Sequence, residues 1–280
     1  MERVKVRHDL RERVRRLFAR PARRPDFLCL GAQKAGTTTL HDLLRHHPDA
    51  FVPDVKETHF FTRHFDQSVA WYERHFAAAR PAQTVGEITP YYLFHPAAPA
   101  RIAAHLPTAR LIVLLRDPVE RALSGYFHAR RHGMEPLPID EAFDAEAERL
   151  RGGERELGIP GQRHLAHEWH SYVARSRYDV QLARYLARFP ESQLLIVRSE
   201  DLFTSPEPTW DRIQAFLGLR RMTLPATLPH SNRGAGEMAT VASGLRQRLR
   251  ERLAPTYQAL HRAHGLTWPE PAVPRVMHAR

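Results

Sequence analysis

The chain has 280 residues, of which 42% are hydrophobic and 26% charged, a balance typical of a globular protein with a buried core. No stretch reaches the roughly 18 apolar residues of a membrane span, and the N-terminus lacks the apolar run of a secretory signal peptide. We therefore expect a cytoplasmic protein. The single Cys29 excludes an internal disulfide and a cysteine zinc site, and its apolar surroundings favour a buried thiol.

The excess positive charge lies mostly in the first 24 residues. The net charge is +11, and residues 1–24 supply +7 of it through ten basic and three acidic side chains. We interpret this segment as a basic arm. Its apolar residues in "LRERVRRLF" have helical spacing, so weak contact with an anionic membrane surface is one candidate role. A solvated arm is the simpler interpretation, and we expect no nucleic-acid partner.

The predicted elements alternate along residues 25–280, which we treat as one domain. Strands are predicted for "FLCL", "TVGEI", "RLIVLL" and "QLLIVR", and helices for Thr37–His46, "ARIAAHL", "VERALSGYFHARRHG", "DVQLARYLARF" and "PTWDRIQAFLGL". Asp117 and Pro118 are typical of a helix start, an N-cap followed by a first-turn proline. The alternation predicts a three-layer α/β fold with a central parallel β-sheet flanked by helices.

The stretch "GAQKAGTTTL", residues 31–40, lies between the first strand and the first helix. A glycine turn at a helix N-terminus presents backbone N–H groups and the positive end of the helix dipole to an anion. Gly31 and Gly36 have the spacing of a Walker loop, but Thr37 stands where that loop has its lysine, and Lys34 lies inside the loop. The pattern favours an anion site and disfavours ATP hydrolysis.

Lysine is rare in this chain. Of 42 basic residues 39 are arginine, and the three lysines are Lys5, Lys34 and Lys56. A compact ammonium can reach a crowded phosphate oxygen that a planar guanidinium cannot approach. Lys34 and Lys56 are therefore candidates for a chemical role.

Three segments together resemble the sulfotransferases that use 3′-phosphoadenosine 5′-phosphosulfate (PAPS), in particular the heparan sulfate N- and 3-O-sulfotransferase branch and its bacterial relatives. "FLCLGAQKAGTTTL" is similar to the 5′-phosphosulfate loop of that family, "VKETHFF" to its acidic segment, and "LIVLLRDPVERALSGYFH" to its 3′-phosphate motif. "LPHSNRGAGE" followed by "RLRERLAPTYQAL" is similar to its C-terminal nucleotide loop and last helix. The resemblance spans residues 26–268 and implies a P-loop-like fold and PAPS as co-substrate.

The resemblance also implies roles for individual residues. Lys34 would stabilise the leaving phosphate, and Glu57 would act as the general base with His59 orienting the base or the acceptor. Arg116 and Ser124 would bind the 3′-phosphate. The other residues implied in nucleotide binding are Gly31, Gln33, Ala35, Gly36, Thr37, Thr38, Arg233 and Gly234.

The implied acceptor is a hydroxyl or amine of a small molecule or carbohydrate. In the heparan sulfate branch a lysine commonly follows the acidic residue of the next segment, whereas Ile88 follows Glu87 here, which disfavours a polyanionic acceptor. Tyr91 and Tyr92 would either line an acceptor pocket or belong to the core. We expect the Arg- and His-rich segment 151–178 to cover the cleft and to select the acceptor.

Two other function classes stay open. A nucleotide kinase would need an acidic metal ligand after a strand, for which Asp117 is the candidate, although an N-cap role explains this residue better. A non-catalytic nucleotide- or lipid-binding module is supported only by the basic arm and predicts binding without turnover. The 18 histidines form no HExxH or comparable spacing, so we expect no metal.

Overall fold

The computed structural model describes residues 23–225 and 236–269. A five-stranded parallel sheet is ordered β2-β3-β1-β4-β5. The strands are β1 Phe27–Gly31, β2 Ala50–Phe51, β3 Thr84–Ile88, β4 Arg110–Leu115 and β5 Leu194–Arg198. The register places Leu28 beside Glu87 on one side and beside Leu111 on the other. All four predicted strands are confirmed, and the two-residue β2 is too short to leave a pattern in the sequence.

Helices flank the sheet. Within the described ranges the α-helices are α1 Thr37–His46, α2 Val69–Glu73, α3 Tyr91–Phe94, α4 Ala98–His105, α5 Pro118–Arg131, α6 Ile139–Arg149, α7 Gly153–Glu156, α8 Leu165–Trp169, α9 Tyr178–Leu186, α10 Asp201–Thr204, α11 Pro206–Leu217 and α12 Ser243–His264. Shorter 3₁₀ turns are Arg74–Phe76, Ala174–Ser176, Glu191–Gln193 and Gly236–Thr240. Every helix predicted from the sequence is present. The helices of four or five residues were not predicted, because they are too short to show helical periodicity.

The core lies on both faces of the central strands. The side chains of Phe27, Leu28, Cys29 and Leu30, and those of residues 111–115, are wholly buried, as expected of a parallel sheet covered on two sides. Cys29 is buried as the sequence predicts, and burial raises the pKa of its thiol to about 12. No helix among residues 23–225 and 236–269 is long and apolar enough to cross a membrane.

A second cluster of apolar side chains holds α5 in place. Leu123 of α5 is buried with Phe143 of α6 and Leu249 of α12. At its N-terminus α5 begins as the sequence predicts, because the Asp117 side chain accepts a 2.9 Å hydrogen bond from the N–H of Glu120 and Pro118 occupies the first turn. The second cluster thus packs α5, the helix that follows β4 in the chain, against α6 and α12.

The strand order determines where a ligand can enter. The chain leaves β1 toward β2 and β3 on one side and later reaches β4 on the other side. In parallel sheets a crevice opens outside the carboxyl ends of the strands at such a reversal. The loop that follows β1 and the residues that follow β4 flank this crevice. Of the predicted basic arm, residues 1–22 lie outside the described ranges, and Arg24 forms an ion pair with Glu73 at 2.8 Å.

Candidate active site

The loop after β1 packs closely and leaves the start of α1 without a side-chain cap. At Gly31, with φ 151°, an added Cβ would lie only 2.9 Å from the carbonyl oxygen of Pro90, so a side chain would not fit. Gly36 is the N-cap of α1 with a left-handed φ of 85° and supplies no capping side chain. The first N–H groups of a helix have no partner inside the helix. Those of Thr37 and Thr38 are therefore placed to bind an anion.

A cleft of about 300 Å³ adjoins this loop. Its walls come from the loop, from the segment around Glu57, from the end of β4 and from the segment 151–178. The lining residues are Gln33, Lys34, Gly36, Thr37, Thr38, Lys56, Glu57, His59, Arg63, Pro90, Tyr91, Arg116, His128, Glu168, Trp169 and Arg175. The structure therefore brings Lys34, Glu57 and His59, which the sequence places up to 25 positions apart, into one cavity.

Several residues expected to bind nucleotide lie elsewhere. Gly31 and Ala35 are buried residues of the loop that do not line the cleft. Ser124, in α5, is also buried and does not line it. Arg233 and Gly234 lie outside the described residues. Gln33, Lys34, Gly36, Thr37, Thr38 and Arg116 do line it. The roles of all these residues in nucleotide binding stay predictions.

Lys34 lies in a strongly positive region. Burial, followed by the charges of Arg131, Arg116 and Lys56, lowers its pKa from 10.5 to about 8. Arg116 extends from the end of β4, and its Nη1 is 3.4 Å from the carbonyl oxygen of Lys34. Such crowding of cations is unfavourable unless an anion binds between them. The physical cause of the shift thus supports an anion site at Lys34.

The carboxylate of Glu57 lies between two cationic or hydrogen-bonding neighbours. Its Oε1 is 3.4 Å from the Nζ of Lys56, and its Oε2 is 3.4 Å from the Nε2 of His59. Burial alone would raise the pKa of Glu57, but the hydrogen bond from His59 and the charge of Lys56 hold it below its ordinary value. Glu57 is therefore ionised at neutral pH and able to accept a proton.

Thr58, between Glu57 and His59, points into the core. Its hydroxyl donates to Oε1 of Glu87, which also accepts from Thr89 at 2.6 Å and from Tyr92 at 2.7 Å, while Tyr72 donates to Oε2. Glu87 is 1% exposed and does not line the cleft. Four hydroxyls thus satisfy this buried carboxylate. Through Thr58, Glu87 anchors the backbone between Glu57 and His59, and Tyr92 belongs to the core.

Lys34, Glu57 and His59 share an unusual backbone conformation. Among the described residues they are the non-glycine residues with positive φ, at 71°, 65° and 55°. The Cβ atom makes this conformation unfavourable by about 1–2 kcal/mol for each residue. Strain of this kind persists where the surrounding structure imposes it, often at functional sites. These are the three residues to which the family resemblance assigns catalytic roles.

Asp117 is fully engaged as a structural residue. Besides capping α5, its Oδ2 accepts a 2.8 Å hydrogen bond from the hydroxyl of Tyr257 in α12. Among the residues that the structure describes, no group of three His, Cys, Asp or Glu side chains could hold a metal ion. The two hydrogen bonds of Asp117 support its predicted role as the N-cap of α5.

The segment 151–178 supplies cleft residues that were not named from the sequence. Glu168, Trp169 and Arg175 come from it, and Arg175 donates a 2.6 Å hydrogen bond from Nη1 to Oε1 of Gln33. Its guanidinium lies 5.1 Å from the ring centroid of Tyr91. The many Arg and His residues of this segment indicate that it contributes to the cleft. They do not indicate which positions line it, because the partners of these residues are remote in the chain.

Comparison with known proteins shows which family this chain resembles. A family model described as sulfotransferase domain matches residues 24–230. Human heparan sulfate glucosamine 3-O-sulfotransferase 3B1 is 34% identical over 198 residues, covering 71% of this chain and 47% of the relative. The chain thus spans about half the length of that relative.

Two solved structures have the same fold. A sulfotransferase from Alicyclobacillus acidocaldarius matches with a TM-score of 0.73 and 28% identity over 88% of this chain and 98% of that one. Mouse sulfotransferase SULT7A1, solved in complex with PAP (3′-phosphoadenosine 5′-phosphate), has a TM-score of 0.51 and 13% identity over 88% of this chain and 90% of that one. The parallel sheet with flanking helices is therefore the P-loop-like fold that the sequence predicted. By its family match and its relatives, the chain belongs to the sulfotransferase family.

Proposed function

We propose that the chain transfers a sulfuryl group from PAPS to a hydroxyl or amine of a carbohydrate or small-molecule acceptor. The observation that carries the proposal is the convergence of Lys34, Glu57 and His59 in one cleft beside a glycine loop and a helix N-terminus. An in-line displacement needs a cation at the leaving oxygen and a base at the attacking group. Lys34 and Glu57 provide this pair.

The charge of the cleft suits a donor with several negative charges. Five cationic side chains and two carboxylates line it, namely Lys34, Lys56, Arg63, Arg116 and Arg175 with Glu57 and Glu168. The uncapped first turn of α1 adds backbone N–H donors. The excess of positive charge and the free helix N-terminus support a donor that carries phosphate and sulfate groups.

Residues of this chain can take up the acceptor proton and stabilise the charge on the leaving group. The acceptor atom forms a bond to sulfur as the bond between sulfur and the bridging phosphate oxygen breaks. The acceptor proton passes to the carboxylate of Glu57, and the negative charge that develops on the phosphate oxygen is stabilised by Lys34. His59, hydrogen-bonded to Glu57, fixes the orientation of the base. Arg116, which follows β4 and lines the cleft, would bind the 3′-phosphate.

The test is a transfer assay with purified protein, PAPS and a panel of sugars, phenols, alcohols and amines, with products identified by mass spectrometry. Binding of 3′-phosphoadenosine 5′-phosphate (PAP) is measured in parallel by calorimetry. We expect sulfated products that require PAPS and no added metal. PAP binding with no transfer would favour a nucleotide-binding module, and phosphate transfer from ATP with Mg²⁺ would favour a kinase. Either result would overturn the proposal.

A further inference from the structure

Trp169, at the end of α8, forms a wall of the cleft that also contains Glu57 and His59. The imidazole of His128 in α5 and that of His132, the residue after α5, back its indole ring. The centroid of His128 is 5.7 Å away with 18° between the ring planes, and that of His132 is 5.6 Å away. Within residues 23–225 and 236–269, no group accepts a hydrogen bond from the indole nitrogen. The indole ring is therefore supported by the two imidazoles, and its N–H group can donate a hydrogen bond to a ligand.

The preceding residue fixes Trp169 relative to the base. The Glu168 side chain is 2% exposed, and its two oxygens accept bidentate hydrogen bonds from Arg63 at 2.8 and 3.1 Å and from Arg163 at 2.7 and 3.0 Å. Charge-assisted bidentate bonds are among the strongest side-chain contacts. Arg63 follows His59 by four residues, so Glu168 joins α8 to the segment that carries Glu57. Trp169 is thus held in place before an acceptor arrives.

Each carboxylate near this wall is paired with a cation. Arg63 is bound to Glu168, and Lys56 is next to Glu57. Burial, followed by the charge of Lys34, lowers the pKa of His128 to about 4, so its ring is neutral at physiological pH. Ile88, at the position where the heparan sulfate branch commonly has lysine, is buried. The aromatic face of Trp169, backed by the neutral ring of His128, suits an uncharged ring.

We propose that Trp169 is the platform on which the acceptor ring stacks, and that the acceptor is an uncharged ring compound, a pyranose sugar or a phenol, whose hydroxyl faces Glu57. This inference rests on the proposed function. A flat aromatic ring matches the apolar face of a sugar or a second aromatic ring. The indole N–H can donate to a neighbouring hydroxyl, which favours polyhydroxylated rings.

The test measures steady-state transfer from PAPS to methyl β-D-glucopyranoside, 2-naphthol, 1-hexanol and an N-sulfated heparan oligosaccharide. We expect wild-type protein to use the glucoside or the naphthol best, and the preferred one identifies the ring type. Trp169→Leu should raise KM for that acceptor about two- to tenfold, the factor that corresponds to losing an aromatic stacking contact of about 0.5–1.5 kcal/mol. Trp169→Phe should keep most of the affinity. The matched control Trp71→Leu, outside the cleft, should leave KM unchanged.

A second measurement uses the wild-type protein and does not depend on the folding of a variant. The ring acceptor should protect Trp169 from oxidation by N-bromosuccinimide, as read by peptide mass spectrometry, and should not protect Trp71. An unchanged KM in Trp169→Leu, absent protection, or a preference for hexanol or the heparan oligosaccharide would overturn the inference while leaving the proposed function intact. Loss of PAP affinity in the variant would also overturn it, since Trp169 would then serve the nucleotide. Failure of wild-type protein to sulfate any acceptor would overturn the proposed function and this inference together.

Discussion

The side-chain ammonium of Lys56 donates a 2.7 Å hydrogen bond to Oγ1 of Thr38. The same ammonium is 3.4 Å from Oε1 of Glu57. Lys56 therefore connects the first turn of α1, where we place the donor phosphate, to Glu57, the proposed general base. Its charge also helps to lower the pKa of Glu57.

The first prediction follows from that connection. Lys56→Met should raise the pKa of Glu57, so the base should become protonated, and transfer should fall, at a higher pH than in wild-type protein. We would record the rate at saturating substrates between about pH 4 and pH 8, the range over which a perturbed carboxyl group can titrate. Lys5→Met provides the matched control. Identical pH profiles for all three proteins would show that Lys56 does not tune the base.

The second prediction concerns the base itself. Glu57→Gln keeps the size of the side chain but cannot take a proton, so the transfer rate should fall by about 10²–10⁴. The dissociation constant for PAP, measured by calorimetry on the same variant, should hardly change. A wild-type rate would eliminate Glu57 as the base. Because Glu87 is enclosed by hydroxyls, His59 would then be the remaining candidate in this segment.

The third prediction concerns selection of the nucleotide. PAP should bind more tightly than AMP, and Arg116→Ala should remove about 1.5–3 kcal/mol of that preference, the usual value of a hydrogen bond to a charged group. Ser124→Ala should matter less, since Ser124 is buried in α5 and does not line the cleft. Calorimetry with both nucleotides measures the difference. Equal affinity of wild-type protein for PAP and AMP would contradict the assignment of Arg116.

The fourth prediction uses the lowered pKa of Lys34, about 8. The ammonium that attracts the anion is present below this pH and is lost from the free protein as the pH rises above it. PAP affinity should therefore decline above about pH 8. Lys34→Ala should bind PAP weakly and lack this decline. Lys34→Arg should keep the charge but lose most turnover, because the planar head group does not fit the loop.

The fifth prediction concerns the hydroxyl cage of Glu87. Tyr72→Phe removes one donor from the buried carboxylate and should lower the free energy of unfolding by about 1–3 kcal/mol. Tyr185→Phe, which removes a buried hydroxyl that donates to the carbonyl of Tyr92 at 2.8 Å, serves as the comparison with a neutral acceptor. We expect a smaller loss there, as measured by urea unfolding. An equal loss in both variants would mean that the side chain of Glu87 is no better an acceptor here than a backbone carbonyl.

The sequence predicted those features that depend on neighbouring residues. Continuous apolar runs identified β1, β4 and β5, and the spacing of Gly31, Lys34 and Gly36 identified the anion loop. In contrast, Arg63 and Glu168 are 105 positions apart, and no local pattern indicates their pairing. The spacing from Arg116 to Ser124 is two helical turns, but a sequence does not show that the second of these residues faces the core.

The three positive φ angles at Lys34, Glu57 and His59 also bear on heat resistance. Each stores an energy that glycine at the same position would largely release. Selection for thermostability alone would therefore favour glycine at the three positions to which we assign the chemistry. A lineage adapting to higher temperature would have to gain its stability from the core and the outer helices, while the strained centre stays unchanged.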